Sequence, residues 1–223
     1  MPPRHAYYPG GVLLAIDTSI GTAVAVIDAD GVVRVERDSA NPLGHAEAIG
    51  GLLQSALADA PGEITHVAAG MGPGPFTGLR VGIAAARAFA LGRSIPVIPV
   101  VSHDAIALEV LLGGALTGTE PGRFAVVTDA RRREYAYTVF DGVDDDGLPV
   151  RATEPALLPR DQLETRLDEL GAARRDAAAV PGALVALIAA RLLAAGRVPE
   201  STEPLYLRSP DVTMPHGPKR VTA

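Results

Sequence analysis

LLAIDTSIGTAVAVIDADGVV, Leu13 to Val33, and AVVTDARRREYAYTVFDGVDDDGLPV, Ala125 to Val150, follow one plan. Each opens with an apolar run that ends in aspartate, Asp17 or Asp129. Each continues through a short turn, a strand, an Asp-rich turn and a further strand. Asp28-Ala29-Asp30-Gly31 and Asp144-Asp145-Asp146-Gly147 suit hairpins, because glycine accepts the positive φ such turns need. Outward from the first stretch, strands are expected over 12–16, 22–27 and 32–37. A helix follows over 44–60, with Ile49, Leu52, Leu53, Ala56 and Leu57 at i, i+3, i+4, i+7 and i+8. A strand at 64–69, a helix at 76–91, a strand at 96–101 and a helix at 102–112 complete the first half. The second meander, 124–128, 134–140 and 148–153, leads into helices at 161–170 and 181–195. This order predicts an α/β protein built by a degenerate internal duplication. Two βββαβα-type lobes with mixed sheets, the second shortened, would face each other across a cleft able to hold a nucleotide. Residues 1–10 read as a flexible arm, 11–112 as the N-terminal lobe, 113–208 as the C-terminal lobe and 209–223 as a disordered tail. Pro204-Leu205-Tyr206-Leu207-Arg208 is apolar enough to dock.

Composition narrows the function. Twenty basic against twenty-six acidic residues leave a net charge of −6, which disfavours a chain that grips nucleic acid alone. There are no cysteines, so disulfides, thiolate zinc sites, iron–sulfur clusters and thiol nucleophiles are excluded. Lys219 is the only lysine, which leaves the folded body without a lysine phosphate clamp or Schiff base. The opening residues carry no apolar secretion signal, and the stretch 177–190 is too short and too broken to span a bilayer. A cytoplasmic protein without membrane attachment is expected. The histidines stand at 5, 45, 66, 103 and 216, with no i, i+3 or i, i+4 pair and no His-Glu-x-x-His, so no metal site is predicted. No Ser/His/Asp arrangement announces itself, and no catalytic residue is assigned.

Two strings are candidates for ligand contact. In Asp17-Thr18-Ser19-Ile20-Gly21-Thr22 the hydroxyls and turn amides can face a phosphate, and Asp17 can hold a metal-bound water. A self-satisfied hairpin is the favoured reading, since no Walker spacing accompanies it. Gly70-Met71-Gly72-Pro73-Gly74-Pro75-Phe76-Thr77-Gly78-Leu79-Arg80 places a Gly/Pro loop before a helix. Its amides, notably around Gly72, Gly74 and Gly78, can converge at the positive end of the helix dipole, with Thr77 as a cap. The alternative is a tight turn without ligand, and the residues leave both open. Arg131-Arg132-Arg133 reads as a solvated turn or as an RNA or phosphate contact.

The helices 44–60 and 76–91 carry too little charge for surfaces that face water. The first has Glu47, Asp59 and His45 among small residues, and the second only Arg80 and Arg87. An undercharged face of small side chains lets another backbone come close, so these helices are expected to dock on another protein. The candidate contact residues are His45, Ala48, Gly51 and Ser55 on the first helix. On the second they are Phe76, Thr77, Arg80, Val81, Ala85 and Ala88.

The chain resembles the TsaB family, whose members take part in making threonylcarbamoyladenosine in tRNA. The resemblance rests on LLAIDTSIGTAVAVID, MGPGPFTGLRVGIAAARAFALG, PVIPVVSHDAIAL, TDARRREYAYTVF and PLYLRSPD, with GPGPFTGLR the most specific, and it covers most of the chain. It implies an actin-like, ribonuclease-H-like duplicated fold. It also implies a non-catalytic subunit that binds a TsaD-type sister through helices 44–60 and 76–91. The sister transfers the threonylcarbamoyl group to the adenosine next to the anticodon, and a TsaE-type ATPase binds across the pair. Homodimers through the same helices are implied as well. The chain would meet tRNA only indirectly and bind no cofactor itself, with ATP and metal on the partner subunits. In the sister a His-x-x-x-His pair binds metal, and Ser102 and Ile106 fall at those two positions here. A Gly-Asp-Gly-Ala-like turn of many members has no counterpart in Leu170 to Asp176. The competing readings are a small actin-like ATPase or kinase using Asp17, Thr18 and the 72–78 loop, and, disfavoured, a metallopeptidase.

Overall fold

The computed structural model describes residues 11–41 and 44–208. The arm expected at 1–10 and the tail expected at 209–223 lie outside the described residues. The duplication is visible in strand order. The meander β1 (Val12–Asp17), β2 (Thr22–Ile27) and β3 (Val33–Ser39) is extended by β4 (Ile64–Gly70) and β5 (Val97–Val100), both joined in parallel, in the order β3-β2-β1-β4-β5. The second meander, β6 (Phe124–Asp129), β7 (Glu134–Val143) and β8 (Pro149–Arg151), takes β9 (Ala156–Pro159) beside β7 and β10 (Ala173–Asp176) in parallel to β6.

The two Asp-rich turns repeat bond for bond. Asp28 Oδ1 accepts from the N–H groups of Asp30 (3.0 Å) and Val32 (2.9 Å), and Asp144 Oδ1 accepts from those of Asp146 (3.0 Å) and Leu148 (2.9 Å). Gly31 and Gly147 close the turns at φ of 77° and 74°. An arginine secures each carboxylate, Arg34 on Asp28 and Arg197 on Asp144. The strand ends repeat as well: Asp17 accepts from Ser19 N–H and Asp129 from Arg131 N–H, each at 2.7 Å.

Alternation along the strands divides the interior into layers. Leu14, Ile16, Val24 and Val26 face α1 (His45–Ala58) and α2 (Phe76–Arg93) on the outer side of the first sheet. Leu13, Ala15, Ala25 and Ile27 face inward to a shared core with α3 (Ser102–Thr117), α5 (Gly182–Ala194) and Phe124, Val126 and Phe140 of the second sheet. The far side of the second sheet buries Val127 and Val139 under α4 (Leu163–Leu170). The sequence halves exchange helices: α5, from the second half, lies across β1 and β2, while α3, from the first, leans on the second sheet. At the start of α5, a Cβ on Gly182 would come within 3.3 Å of Ala23 and Ala25 Cβ, so α5 sits close against β2.

Several boundaries differ from expectation for physical reasons. α3 runs past the expected end at 112, through Gly113-Gly114, and ends at Gly118 in the left-handed region. A Cβ on Gly114 would lie 2.5 Å from Thr119 O, so this glycine serves the chain's return rather than the cap. The helix expected from Asp161 begins as a single turn, Arg160–Gln162, before α4. β9 and β10 were not foreseen: β10 reads Ala-Arg-Arg-Asp, an edge strand whose side chains are largely solvated. Among the described residues no helix is long and apolar enough to cross a membrane.

Candidate functional site

The sequence candidates Asp17, Thr18 and Ser19 converge with the 70–78 loop at the end of β1, and their side chains are bonded inward. The Thr18 hydroxyl donates to Gly78 O at 2.7 Å and accepts from Gly82 N–H at 3.0 Å, fastening the first turns of α2 to the β1–β2 turn. Asp17 accepts from Ser19 N–H and from the Ser102 hydroxyl at 2.5 Å. Ser102 in turn receives the Gly72 N–H at 3.1 Å and gives its own N–H to Gly72 O at 2.7 Å. Burial pushes the Asp17 carboxyl above its usual range, and the bonds from Ser102 and Ser19 pull it partly back.

This packing explains the glycine density of the loop. A Cβ on Gly70 would lie 1.7 Å from Asp17 Oδ2, one on Gly74 2.8 Å from Ser19 Cα, one on Gly78 3.0 Å from Thr18 O, and one on Gly82 2.3 Å from Thr18 Oγ1. The spacing of four residues is a close-approach requirement of the β1–β2 turn. Thr77 is not the cap: α2 starts from Pro75 in extended conformation, with no side-chain hydrogen bond to its first turn.

Of the two positions aligned with the sister's histidines, Ser102 is fully buried in the Asp17 network and Ile106 lies in the core. His103, fully buried, bridges the lobes: Nδ1 is 2.8 Å from Thr138 Oγ1 and Nε2 3.0 Å from Thr128 Oγ1. Burial, with the Arg151 charge adding to it, lowers its pKa to about 3, so it is neutral in the fold. Among the described residues no three His, Asp or Glu side chains gather as a metal site.

Ala46, Gly50, Gly51, Ser55 and Ala58 are exposed on α1, and Thr77, Arg80, Ala84, Ala88 and Leu91 on α2. A Cβ added at Gly50, Gly51 or Gly92 would meet nothing within 4 Å. Ala48, Val81 and Ala85 are half-buried, the last two packed on their own lobe's core. His45 is the candidate that turns away: it is 8% exposed, with Nδ1 2.9 Å from Thr22 Oγ1. The segment 201–208 docks along α2, as expected of its apolar part 204–208, on partners that the sequence did not identify. Leu205 N–H donates to Met71 O at 2.8 Å, and the Phe76 and Tyr206 rings lie 4.6 Å apart. The Arg80 guanidinium stacks on Phe76 at 3.7 Å and donates to Tyr206 Oη at 3.1 Å, and Arg87 donates to Thr202 O. Arg208 then reaches the second lobe to pair with Glu134. Between the lobes lies a cleft of about 560 Å³, walled by the start of α2, the β6–β7 turn and this strap.

Known proteins share this arrangement. A solved structure from Pseudomonas aeruginosa, described as an uncharacterized protein with similarity to peptidase YEAZ, superposes with a TM-score of 0.70 at 24% identity, over 89% of this chain and all of that one. A second, YeaZ from the same organism, gives 0.68 at 23% identity over 88% of this chain and all of that one. At these identities the likeness speaks for the fold. The family model described as tRNA N6-adenosine threonylcarbamoyltransferase, TsaD, matches residues 42–148. An uncharacterized protein of Mycobacterium tuberculosis is 40% identical over 146 residues, 63% of this chain and 64% of that relative. The chain thus matches less than two thirds of that relative's length. The tRNA threonylcarbamoyladenosine biosynthesis protein TsaB of Escherichia coli is 29% identical over 161 residues, 71% of this chain and 67% of that protein. Duplicated meanders, exchanged helices and the interlobe cleft define an α/β protein of the actin-like class with ribonuclease-H-like lobes. Within that class the chain is similar to TsaB proteins.

Proposed function

We propose that this chain is a non-catalytic partner subunit in threonylcarbamoyl modification of a tRNA adenosine, acting on a TsaD-type protein together with a TsaE-type ATPase. The observation that carries the reading is the exposed face of α1 and α2. Gly50, Gly51, Ser55, Ala84 and Ala88 leave a surface poor in charge on which a second helical pair can rest backbone to backbone. The partner is argued from likeness. The TsaD-family model matches residues 42–148, which contain both helices, so a TsaD-type protein would present a related pair and dock by pseudo-twofold symmetry. A second copy of this chain would compete for the same face. The tRNA is met through the partner, in keeping with the net charge of −6.

Reconstitution tests the reading. Threonylcarbamoyl incorporation into tRNA is measured with the TsaD-type and TsaE-type proteins of the same genome, with and without this chain. Incorporation that appears only with all three supports it. Equal incorporation without this chain refutes it, and turnover by this chain alone refutes its non-catalytic part.

A further inference from the structure

α2 is a cationic helix in an acidic chain. From Phe76 to Arg93 it holds three arginines and no aspartate or glutamate, while the whole chain carries a net charge of −6. Arg80 and Arg87 stand two helical turns apart, so they share one line on its surface, and both are exposed. That line borders the outward strip of small residues, Ala84 and Ala88. Arg93 lies off the line, in the last turn, where the helix dipole favours a cation. Other surface arginines, Arg34, Arg37 and Arg123, each end on a carboxylate. Arg80 and Arg87 end on neutral oxygens. Arg80 Nε donates to Tyr206 Oη at 3.1 Å, and Arg87 Nη2 donates to Thr202 O at 2.7 Å. Among the described residues neither forms an ion pair, and Glu203, beside Thr202 on the strap, pairs with neither. The remaining N–H groups of both guanidiniums, Nη1 and Nη2 of Arg80 and Nε and Nη1 of Arg87, have no acceptor among the described residues. The strap and the Phe76 ring, 3.7 Å from the Arg80 guanidinium, thus hold these side chains in place without cancelling their charge.

We infer that the protein docking on this face presents carboxylates to Arg80 and Arg87, which form a charged rim beside the apolar strip. The inference rests on the partner-subunit reading and adds the chemistry of the partner's surface. A guanidinium already ordered by a ring and a neutral acceptor loses little further freedom when a carboxylate arrives. The terminal edge of Arg80 offers two N–H groups in the fork that a carboxylate accepts. At a solvated rim such pairs steer association and select among partners more than they deepen affinity, and salt screens them. A second copy of this chain has no acid on its own α2 to offer.

Isothermal titration of the full chain with the TsaD-type protein of the same genome, at low and at high sodium chloride, tests the rim. The unaltered chain should bind more weakly at high salt. Arg80→Glu/Arg87→Glu should weaken binding about tenfold or more at low salt and flatten the salt dependence. Arg80→Lys/Arg87→Lys keeps the charge and should stay within about threefold of the unaltered chain at low salt. Tyr206→Phe takes the acceptor from Arg80 and leaves both charges, so it should bind as the unaltered chain does. Circular dichroism verifies the fold of each variant. Affinity that charge reversal leaves unchanged overturns the inference, and so does a Tyr206→Phe loss as large as that of charge reversal, which assigns the effect to the strap. Charge reversal that weakens self-association and spares the heteromeric complex assigns the row to a second copy and overturns it too. A complex that Ala88→Arg abolishes and charge reversal spares overturns this inference alone. No complex with the unaltered chain overturns it together with the partner-subunit reading.

Discussion

The Ser102 hydroxyl donates to Asp17 Oδ2 at 2.5 Å, joining the end of β1 to the first residue of α3. Asp17 is buried with almost no exposure, and Ser102 has none. Ser102→Ala removes a donor from a buried carboxylate and leaves the Gly72 N–H without its acceptor. A loss of about 1–3 kcal/mol is expected, read as a lower midpoint in urea unfolding. An unchanged midpoint would show that the contact carries no stability.

The same network sets the outcome at its glycines. Gly70→Ala forces a Cβ into the Asp17 carboxylate, where neither β1 nor β4 can yield, and Gly82→Ala forces one into Thr18. Both should be among the costliest single changes, above about 4 kcal/mol. Gly50→Ala and Gly51→Ala meet open space and should stabilise α1 by roughly 0.5–1 kcal/mol through helix propensity. Thermal melts of the four variants check the contrast.

His103 gives the fold a pH dependence with a definite sign. Its pKa is about 3 in the fold against 6.5 when exposed, so the unfolded chain takes up a proton that the fold refuses. This contribution is complete above pH 6.5 and is lost as pH falls towards 3, the loss amounting to about 2 kcal/mol at pH 5. Asp17 and Asp104, whose pKa values burial raises, act in the opposite sense, and equally with and without the imidazole of His103. His103→Gln should therefore narrow the stability difference between pH 7 and pH 5 by about 2 kcal/mol. Parallel pH profiles would contradict it.

The strap is held by few bonds at its middle. Tyr206→Ala removes the ring against Phe76 and the acceptor of Arg80, a loss of roughly 1–2 kcal/mol for such contacts. Faster proteolysis near residue 206, with the core melting temperature little changed, is the expected result. The chain lacks tryptophan, so Tyr206→Trp supplies a single fluorescent reporter of the strap.

The meanders, the hairpin turns and the pairing of loop with helix were legible because alternation, Asp-Gly turns and apolar period act locally. β10 was hidden because pairing with β6, not composition, makes Ala-Arg-Arg-Asp a strand. The exchange of α3 and α5 between sheets was hidden because apolar period says that a face is buried without saying against what. At the site, the glycine-rich string from Gly70 to Gly78 stood out as unusual, and Gly82 did not. Their reason, the approach of Asp17, Thr18 and Ser19, is a contact across about 60 residues that no local pattern carries. His45 was expected among the contact residues of the undercharged first helix, yet Thr22 turns it inward. Arg80 was expected at the partner contact and Arg87 as the one other charge of its helix, whereas the strap engages both and leaves Ala84 and Ala88 to define the surface.

That surface decides where docking is tested. Ala85 is half-buried on its own core, so a charge there risks the fold, whereas Ala88 is exposed. Ala88→Arg should keep the native melting temperature to within about 0.5 kcal/mol of stability. A desolvated, unpaired arginine at a helix–helix contact should weaken partner binding by about tenfold or more.

The most direct measurement mixes the full chain with the TsaD-type protein of the same genome at micromolar concentration and reads mass by size exclusion with light scattering. A stable heteromeric species that Ala88→Arg abolishes is the predicted result. Two independent peaks, or a complex indifferent to Ala88→Arg in a protein that still folds, would contradict docking through α1 and α2.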